Sequence, residues 1–304
     1  AAPAVAPETE TQLLREQGYD FPDDQRLGIY LTNTLEEARF RSETLVQRYI
    51  SEEAEAAAEV KRDKPIMVVL GNPPYAISSQ NRGAWIQGLL EDYKRDLHEK
   101  KLNLDDDYIK FIRFAQWRIE QTGHGILAYI SNNSYLDGVT HRQMRRSLCE
   151  TFDQVRILNL HGDLRRKEVS PDGTPDKNVF DIQQGVAIGL FAKFATSGQR
   201  HTMVADMYGS RDVKYRQLAE SESAGQPWIE LQPGPPWYFL IDRDLGTGAE
   251  EGGWEVPSVF PLHTTGVQTA RDDFAVCMTQ GEVREHMTEF ADPQIPDVKL
   301  TERY

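Results

Sequence analysis

The chain has 304 residues, with 34 Lys and Arg against 48 Asp and Glu, a net charge of −14. That length can bury a sizeable core and hold one large domain or two small ones, while the acidic balance excludes a protein that coats DNA by charge alone. Two cysteines, Cys149 and Cys277, exclude a disulfide framework, and with no Cys/His cluster no metal site is expected. No apolar run is long enough to cross a membrane, so no membrane partner and a cytoplasmic location are expected.

In chain order, Arg26 to Leu31 reads as a strand ending in a polar turn at Thr32-Asn33-Thr34, which also fits an ordinary helix cap. Glu52 to Glu59 is an exposed helix face. Ile66-Met67-Val68-Val69-Leu70-Gly71 is short, β-branched and closed by glycine, the pattern of a buried parallel strand. Asn72-Pro73-Pro74-Tyr75 then falls at its carboxyl end, where open α/β sheets build their sites. The segment 83–104, with Trp85, Tyr93 and Leu97, fits a mobile insertion or a plain amphipathic helix. Asp105-Asp106-Asp107 reads as a helix N-terminus, because consecutive carboxylates cannot all face one ion. Tyr108 to Ile119 has helical spacing, and Gly123 stops it. Ile126 to Ile130 is the next buried strand, and Ser131 to Leu136 is the loop on the same edge as Asn72.

A basic helix with His141, Arg142, Arg145 and Arg146 follows, then a strand at Gln154 to Leu160. Arg165, Arg166 and Lys167 add to the basic stretch, which fits either a rim that guides phosphate or a solvated surface. Asn178 to Phe191 closes the sheet. Ala195 to Gln199 reads as a boundary, and Pro233 to Phe239 and Gly246 to Gly253 as loops or linkers.

The tetrapeptide carries the chemistry. Two prolines fix two φ angles and remove two backbone donors, leaving a stiff loop with an amide side chain, a free carbonyl and an aromatic ring. Such a loop can grip a planar group bearing an NH2. An exocyclic amine is a poor nucleophile because its lone pair is delocalised, and two acceptors around it favour freeing that pair. A Pro-rich surface turn after a strand gives the same four residues.

Asn-Pro-Pro-Tyr after a strand resembles the catalytic motif of the amino-group methyltransferases that use S-adenosylmethionine. The resemblance implies that Asn72 and the Pro73 carbonyl accept from the target amine, with Pro74 shaping the loop and Tyr75 stacking on the target ring. It implies Phe180 across the flipped-out base; Phe180 also fits a core position. It implies Asn33, where Asp is usual, with Leu35 and Asn72, toward S-adenosylmethionine. Tyr30 to Glu36, Leu70 to Tyr75 and Asn159-Leu160-His161-Gly162-Asp163 together resemble the methyltransferase region of type ISP and other single-polypeptide restriction-modification enzymes, over roughly residues 19 to 195. Thr264 to Phe274 resembles the start of their target-recognition part.

The fold implied is α/β: a Rossmann-like methyltransferase sheet, mostly parallel with an antiparallel terminal hairpin, amino-terminally incomplete. Residues 1–196 form a partial catalytic domain, and 197–304 a linker and the start of a target-recognition region. No Gly-x-Gly precedes Asn72, so the chain by itself is expected to hold S-adenosylmethionine weakly or not at all. The resemblance implies an adenine-N6 DNA methyltransferase of a bacterial defence system. Its partners would be double-stranded DNA, with Arg142, Arg145, Arg146, Arg165, Arg166 and Lys167 on the backbone, and nuclease or helicase domains or subunits. A protein-glutamine methyltransferase, an N4-cytosine target and a non-catalytic DNA-recognition or assembly fragment remain as alternatives.

Overall fold

The computed structural model describes residues 16, 18, 29–30, 32–37, 48–75, 79–99, 102–196, 198–220, 225–242, 256–261, 274 and 276–303. The chain divides into two compact units, Ala1–Arg243 and Asp244–Tyr304.

The first unit is built on a six-stranded sheet. Its strands are β1 (Val68–Gly71), β2 (Gly125–Asn132), β3 (Gln154–His161), β4 (Val186–Lys193), β5 (His201–Asp206) and β6 (Ile229–Leu231), in spatial order β1-β2-β4-β3-β5-β6. β1 and β2 are parallel, as are β3 and β5. β4 lies antiparallel between β2 and β3, and β6 antiparallel to β5. Four of the six strands thus run one way. This is the mixed, mostly unidirectional sheet that the sequence implies. The antiparallel pair of β3 and β4 is present, but β5 and β6 extend the sheet past it, across residue 196. β4 also begins at Val186, not Asn178; residues 178–185 form the turn leading into it.

Period-two alternation explains the two faces. Leu127 and Tyr129 on β2, Val155 and Ile157 on β3, and Ala187 and Phe191 on β4 enter one buried cluster. The helices α2 (Ala84–Lys94), α3 (Asp107–Thr122) and α4 (Arg142–Thr151) fill that cluster with Leu90, Tyr93, Tyr108, Ile109, Ile112, Met144 and Leu148. Leu158, Leu160, Val186, Ala205 and Met207 form a second cluster with Val179. Within the segment 83–104, Ala84–Lys94 is a packed helix, with Ile86, Leu90 and Tyr93 buried. α3 starts on Asp106, whose carboxylate accepts from the Tyr108 amide, and stops on Gly123 at φ 87°, as the sequence implies.

β1 departs from expectation. It is exposed rather than buried: Val68 is 54% and Leu70 73% accessible. Among the described residues it pairs with β2 alone. An apolar run needs cover on both faces and neighbours on both edges to be buried, and here β1 is the sheet edge. The strand expected before Thr32 is not formed at Ile29 and Tyr30, and its remaining residues lie outside those described. The helix α1 (Arg48–Arg62) precedes β1.

The second unit contains α6 (Val256–Val259), α7 (Gln280–Ala291) and α8 (Asp297–Arg303), and α5 (Arg211–Glu220) belongs to the first. A capping box of Thr279 and Glu282 starts α7. Most of Thr264 to Phe274 lies outside the described residues. No helix among the described residues is long and apolar enough to cross a membrane.

Candidate active site

Parallel pairing of β1 with β2 puts the Asn72–Tyr75 loop and the Ser131–Asn132 strand end on one edge of the sheet. Asn72 and Pro74 are exposed, Pro73 is buried and Tyr75 half-buried. The Tyr75 hydroxyl stands 3.0 Å from the Asn72 side-chain oxygen and 3.2 Å from the Ile130 carbonyl. Its one proton serves one acceptor at a time. Burial pushes the Tyr75 phenol up to about 12, so it is a neutral donor at ordinary pH.

Phe180 borders the same buried cluster as Tyr75. Its backbone N–H donates to the Asn178 side chain at 2.8 Å. Asn178, itself buried, donates to the carbonyls of Gly162 (3.2 Å) and Gln184 (2.7 Å). Gly162 has φ 82° and its Cα lies against Asn178, where a Cβ would overlap backbone. The Phe180 turn is therefore clamped to the end of β3. Phe180 also lines a depression of about 430 Å³ with Leu164, Lys177, Ile182, Gln183 and Arg211.

The ends of β2, β3 and β5 are joined by polar side chains. Asn133 donates to Asn159 at 3.0 Å, and its backbone N–H to Gly185 O. His161, at φ 52° beside a β-bulge, stacks on Tyr208 at 3.9 Å. Its Nε2 is 2.8 Å from Asp206, and Nδ1 is 3.6 Å from Glu168. Burial opposes a charge on His161, but the two carboxylates outweigh it and raise its pKa above 6.5. The sequence singles out His161 only as part of the Asn159–Asp163 wording; its carboxylate partners could not be read from it.

A second polar network gathers residues 79–81 onto the start of α3. Ser79 donates to Asp107 at 2.5 Å, and Asn81 to the same oxygen at 3.0 Å. The buried Lys110 amine reaches Ser79 Oγ (2.6 Å), Asn81 O (2.7 Å) and Asp105 (2.7 Å). Asn33 joins this network through Asn81, 3.0 Å away.

Asn33 and Leu35 are engaged already. The Asn33 oxygen accepts from the Leu35 N–H, and its amide nitrogen donates to Glu36 and Asn81. Leu35 is buried with Ile86 and Phe114. Asn33 stands exposed, so an adenine edge could exchange with its present partners, but Leu35 offers no open surface. Of the glycine pairs in the sequence, Gly123-His124-Gly125 is the turn between α3 and β2, and Gly246-Thr247-Gly248 lies outside the described residues. The described residues do not make a cradle for the methionine part of S-adenosylmethionine.

The basic residues separate into groups. Arg145 is fully buried, and its guanidinium donates to the carbonyls of Tyr135, Gly138, Trp237 and Tyr238. It cannot reach a phosphate, contrary to the sequence expectation; it staples Trp237–Tyr238 to the loop after β2. Arg142 pairs with Glu99, Arg146 with Glu150 and Arg166 with Asp137. Arg165 and Lys167 are exposed and have no carboxylate partner among the described residues. No group of His, Cys, Asp or Glu among the described residues could hold a metal.

Comparison with known proteins gives this arrangement its class. Residues 15–165 match the Eco57I restriction-modification methylase family. That stretch is an Eco57I restriction-modification methylase domain. No curated protein matches the sequence. Among solved structures, the chain is similar to the ATP-dependent type ISP restriction-modification enzyme LlaBIII bound to DNA, at 25% identity and a TM-score of 0.65, over 86% of this chain and 18% of that one. It shares a fold with DrdV in a DNA complex, at 22% identity and a TM-score of 0.61, over 84% of this chain and 28% of that one. It also shares one with a nuclease-deletion mutant of the type ISP enzyme LlaGI in complex with a DNA substrate mimic, at 22% identity and a TM-score of 0.60, over 73% and 19%. The resemblance to type ISP enzymes is thus met. The chain spans less than a third of the length of each.

Proposed function

We propose that the chain is the amine-gripping part of a cytoplasmic, site-specific DNA adenine-N6 methyltransferase in a restriction-modification or phage-defence enzyme. The observation that carries this reading is the exposed Asn72 side chain at the carboxyl edge of the sheet, with Tyr75 and Phe180 on one buried cluster beside it. The Eco57I match supports DNA as the substrate over protein glutamine. Its fold relatives include enzymes solved with DNA.

In this reading the target base leaves the duplex and lies between Tyr75 and Phe180, which offset part of its lost stacking. Asn72 Oδ1 and Pro73 O accept its two N–H bonds, and the Tyr75 hydroxyl gives up Asn72 for Ile130 O. Two acceptors on one amine favour localisation of its lone pair. S-adenosylmethionine, when bound, supplies the electrophilic methyl group, with Asn33 on the adenine side; further chain or a partner subunit completes its site. The region beyond the sheet leads into target recognition.

The test is methyl transfer from labelled S-adenosylmethionine to duplex DNA by the protein that bears this chain. Asn72→Ala should lower the rate by at least about 10²–10³-fold, the size of effect seen when one positioned polar group is removed. Activity within a few-fold of the parent would sink the assignment.

A further inference from the structure

The loop between β3 and β4 holds cations that its own carboxylates leave unpaired. Its first turn is set by Asp163, whose side chain accepts from the backbone N–H groups of Arg165 (2.8 Å) and Arg166 (3.1 Å). Leu164 N–H donates to Gln183 O at 3.0 Å, which brings the start and end of the loop together. Arg165 extends over this junction, with Nε 3.5 Å from Gln183 Oε1. The far side is fixed from beneath. Asp176 and Lys214 form a fully buried ion pair, and the Lys214 amine also donates to Leu160 O and Lys177 O. Lys177 N–H donates to Gly209 O. The backbone that carries Lys177 is therefore rigid, while its side chain is exposed.

These elements enclose the depression beside Phe180. Leu164, Phe180 and Ile182 make an apolar floor, and Lys177, Arg211 and Asp181 stand on the lining. Lys177 and Arg165 have no carboxylate partner among the described residues. Arg211 pairs with Asp181 at 2.6 Å, but that carboxylate is 91% accessible, so water competes for it. The α4 arginines differ in kind, being buried or paired. On a chain of net charge −14, Lys177 on this lining and Arg165 next to Leu164 are exposed cations that the described carboxylates leave unpaired.

We propose that Arg165 and Lys177, aided by Arg211, hold the DNA phosphates next to the target nucleotide, with the deoxyribose on the Leu164–Phe180–Ile182 floor. The proposal rests on the DNA reading above and adds Lys177 and Arg211 to its contacts. Exposed cations at fixed backbone positions suit phosphates, because counterion release rewards them at no folding cost.

The test is DNA binding by the protein across a salt series, comparing the parent with an Arg165→Gln/Lys177→Gln double variant and an Arg95→Gln variant, Arg95 being an exposed arginine paired with Asp92. The double variant should lower the slope of log K against log salt by about 1.8, or roughly 0.9 for each lost phosphate contact. Arg95→Gln should leave the slope unchanged. Matching thermal melts would show that the fold is intact, as expected for exposed side chains. An unchanged slope in the double variant, or no DNA binding by the parent, overturns the proposal. The slope is read without catalysis, so a slope change with no methyl transfer to adenine would count against the enzymatic reading alone.

Discussion

β1 and β3 both lead into loops of the candidate site, yet they sit in opposite circumstances. β3 has partners on both sides, and all of its residues from Ile157 to His161 are buried. β1 has one partner among the described residues and exposes Val68 and Leu70. The loop after β3 is tied down by Asn178, Lys214 and Asp163. The Asn72–Tyr75 loop owes its stiffness to two prolines. Composition alone does not separate an edge strand from a central one; the number of neighbours does.

Three substitutions bear on this contrast. Lys214→Met should have the largest effect, because it leaves Asp176 buried with only the Gly209 N–H for company. Removing one member of a buried pair costs about 3–5 kcal/mol, to be read from urea unfolding followed by circular dichroism. A loss below about 1 kcal/mol would mean that the β3 end is not rigidly held. His161 should contribute less, and in a pH-dependent way. Its pKa is higher in the folded chain than its ordinary 6.5, so its contribution is complete below pH 6.5 and disappears as the pH rises through the folded value. The urea midpoint should therefore fall as the pH rises from 6.5 through the folded value, and His161→Gln should remove that fall. A profile that His161→Gln leaves unaltered would detach the Asp206–Glu168 pairing from stability. Leu70→Ser should have the smallest effect, within about 0.5 kcal/mol, as for a surface site. A larger loss would show that β1 is covered in solution.

Much of the scaffold was legible because it follows from local signals. The end of β1 at Gly71, the Asp106 cap, the Gly123 stop and the alternation in β2 and β3 are all written within a few residues of where they act. Features that depend on distant partners were not. Arg145 looks like a surface arginine of a basic helix, and only carbonyls from residues 237 and 238 make it a buried staple. Asn33 looks free to meet a ligand, yet its amide is shared with Asn81, 48 residues away. The continuation of the sheet into β5 and β6 was hidden because Ala195 to Gln199 has the composition of a boundary and forms a short connection between strands. In the candidate site, the place of Asn72–Tyr75 at the end of β1 was legible; the Tyr75–Asn72 contact within it was not.

In the proposed function, that contact makes amine recognition an exchange. The Asn72 oxygen already holds a hydroxyl hydrogen, and the hydroxyl has Ile130 O in reach as a second home. An arriving N–H replaces an O–H, and the number of hydrogen bonds stays the same. On that proposal Asn72 adds little to the tightness of the encounter, and its influence is greatest once positive charge grows on the amine nitrogen, when an oxygen acceptor holds N–H far better than it holds a neutral phenol.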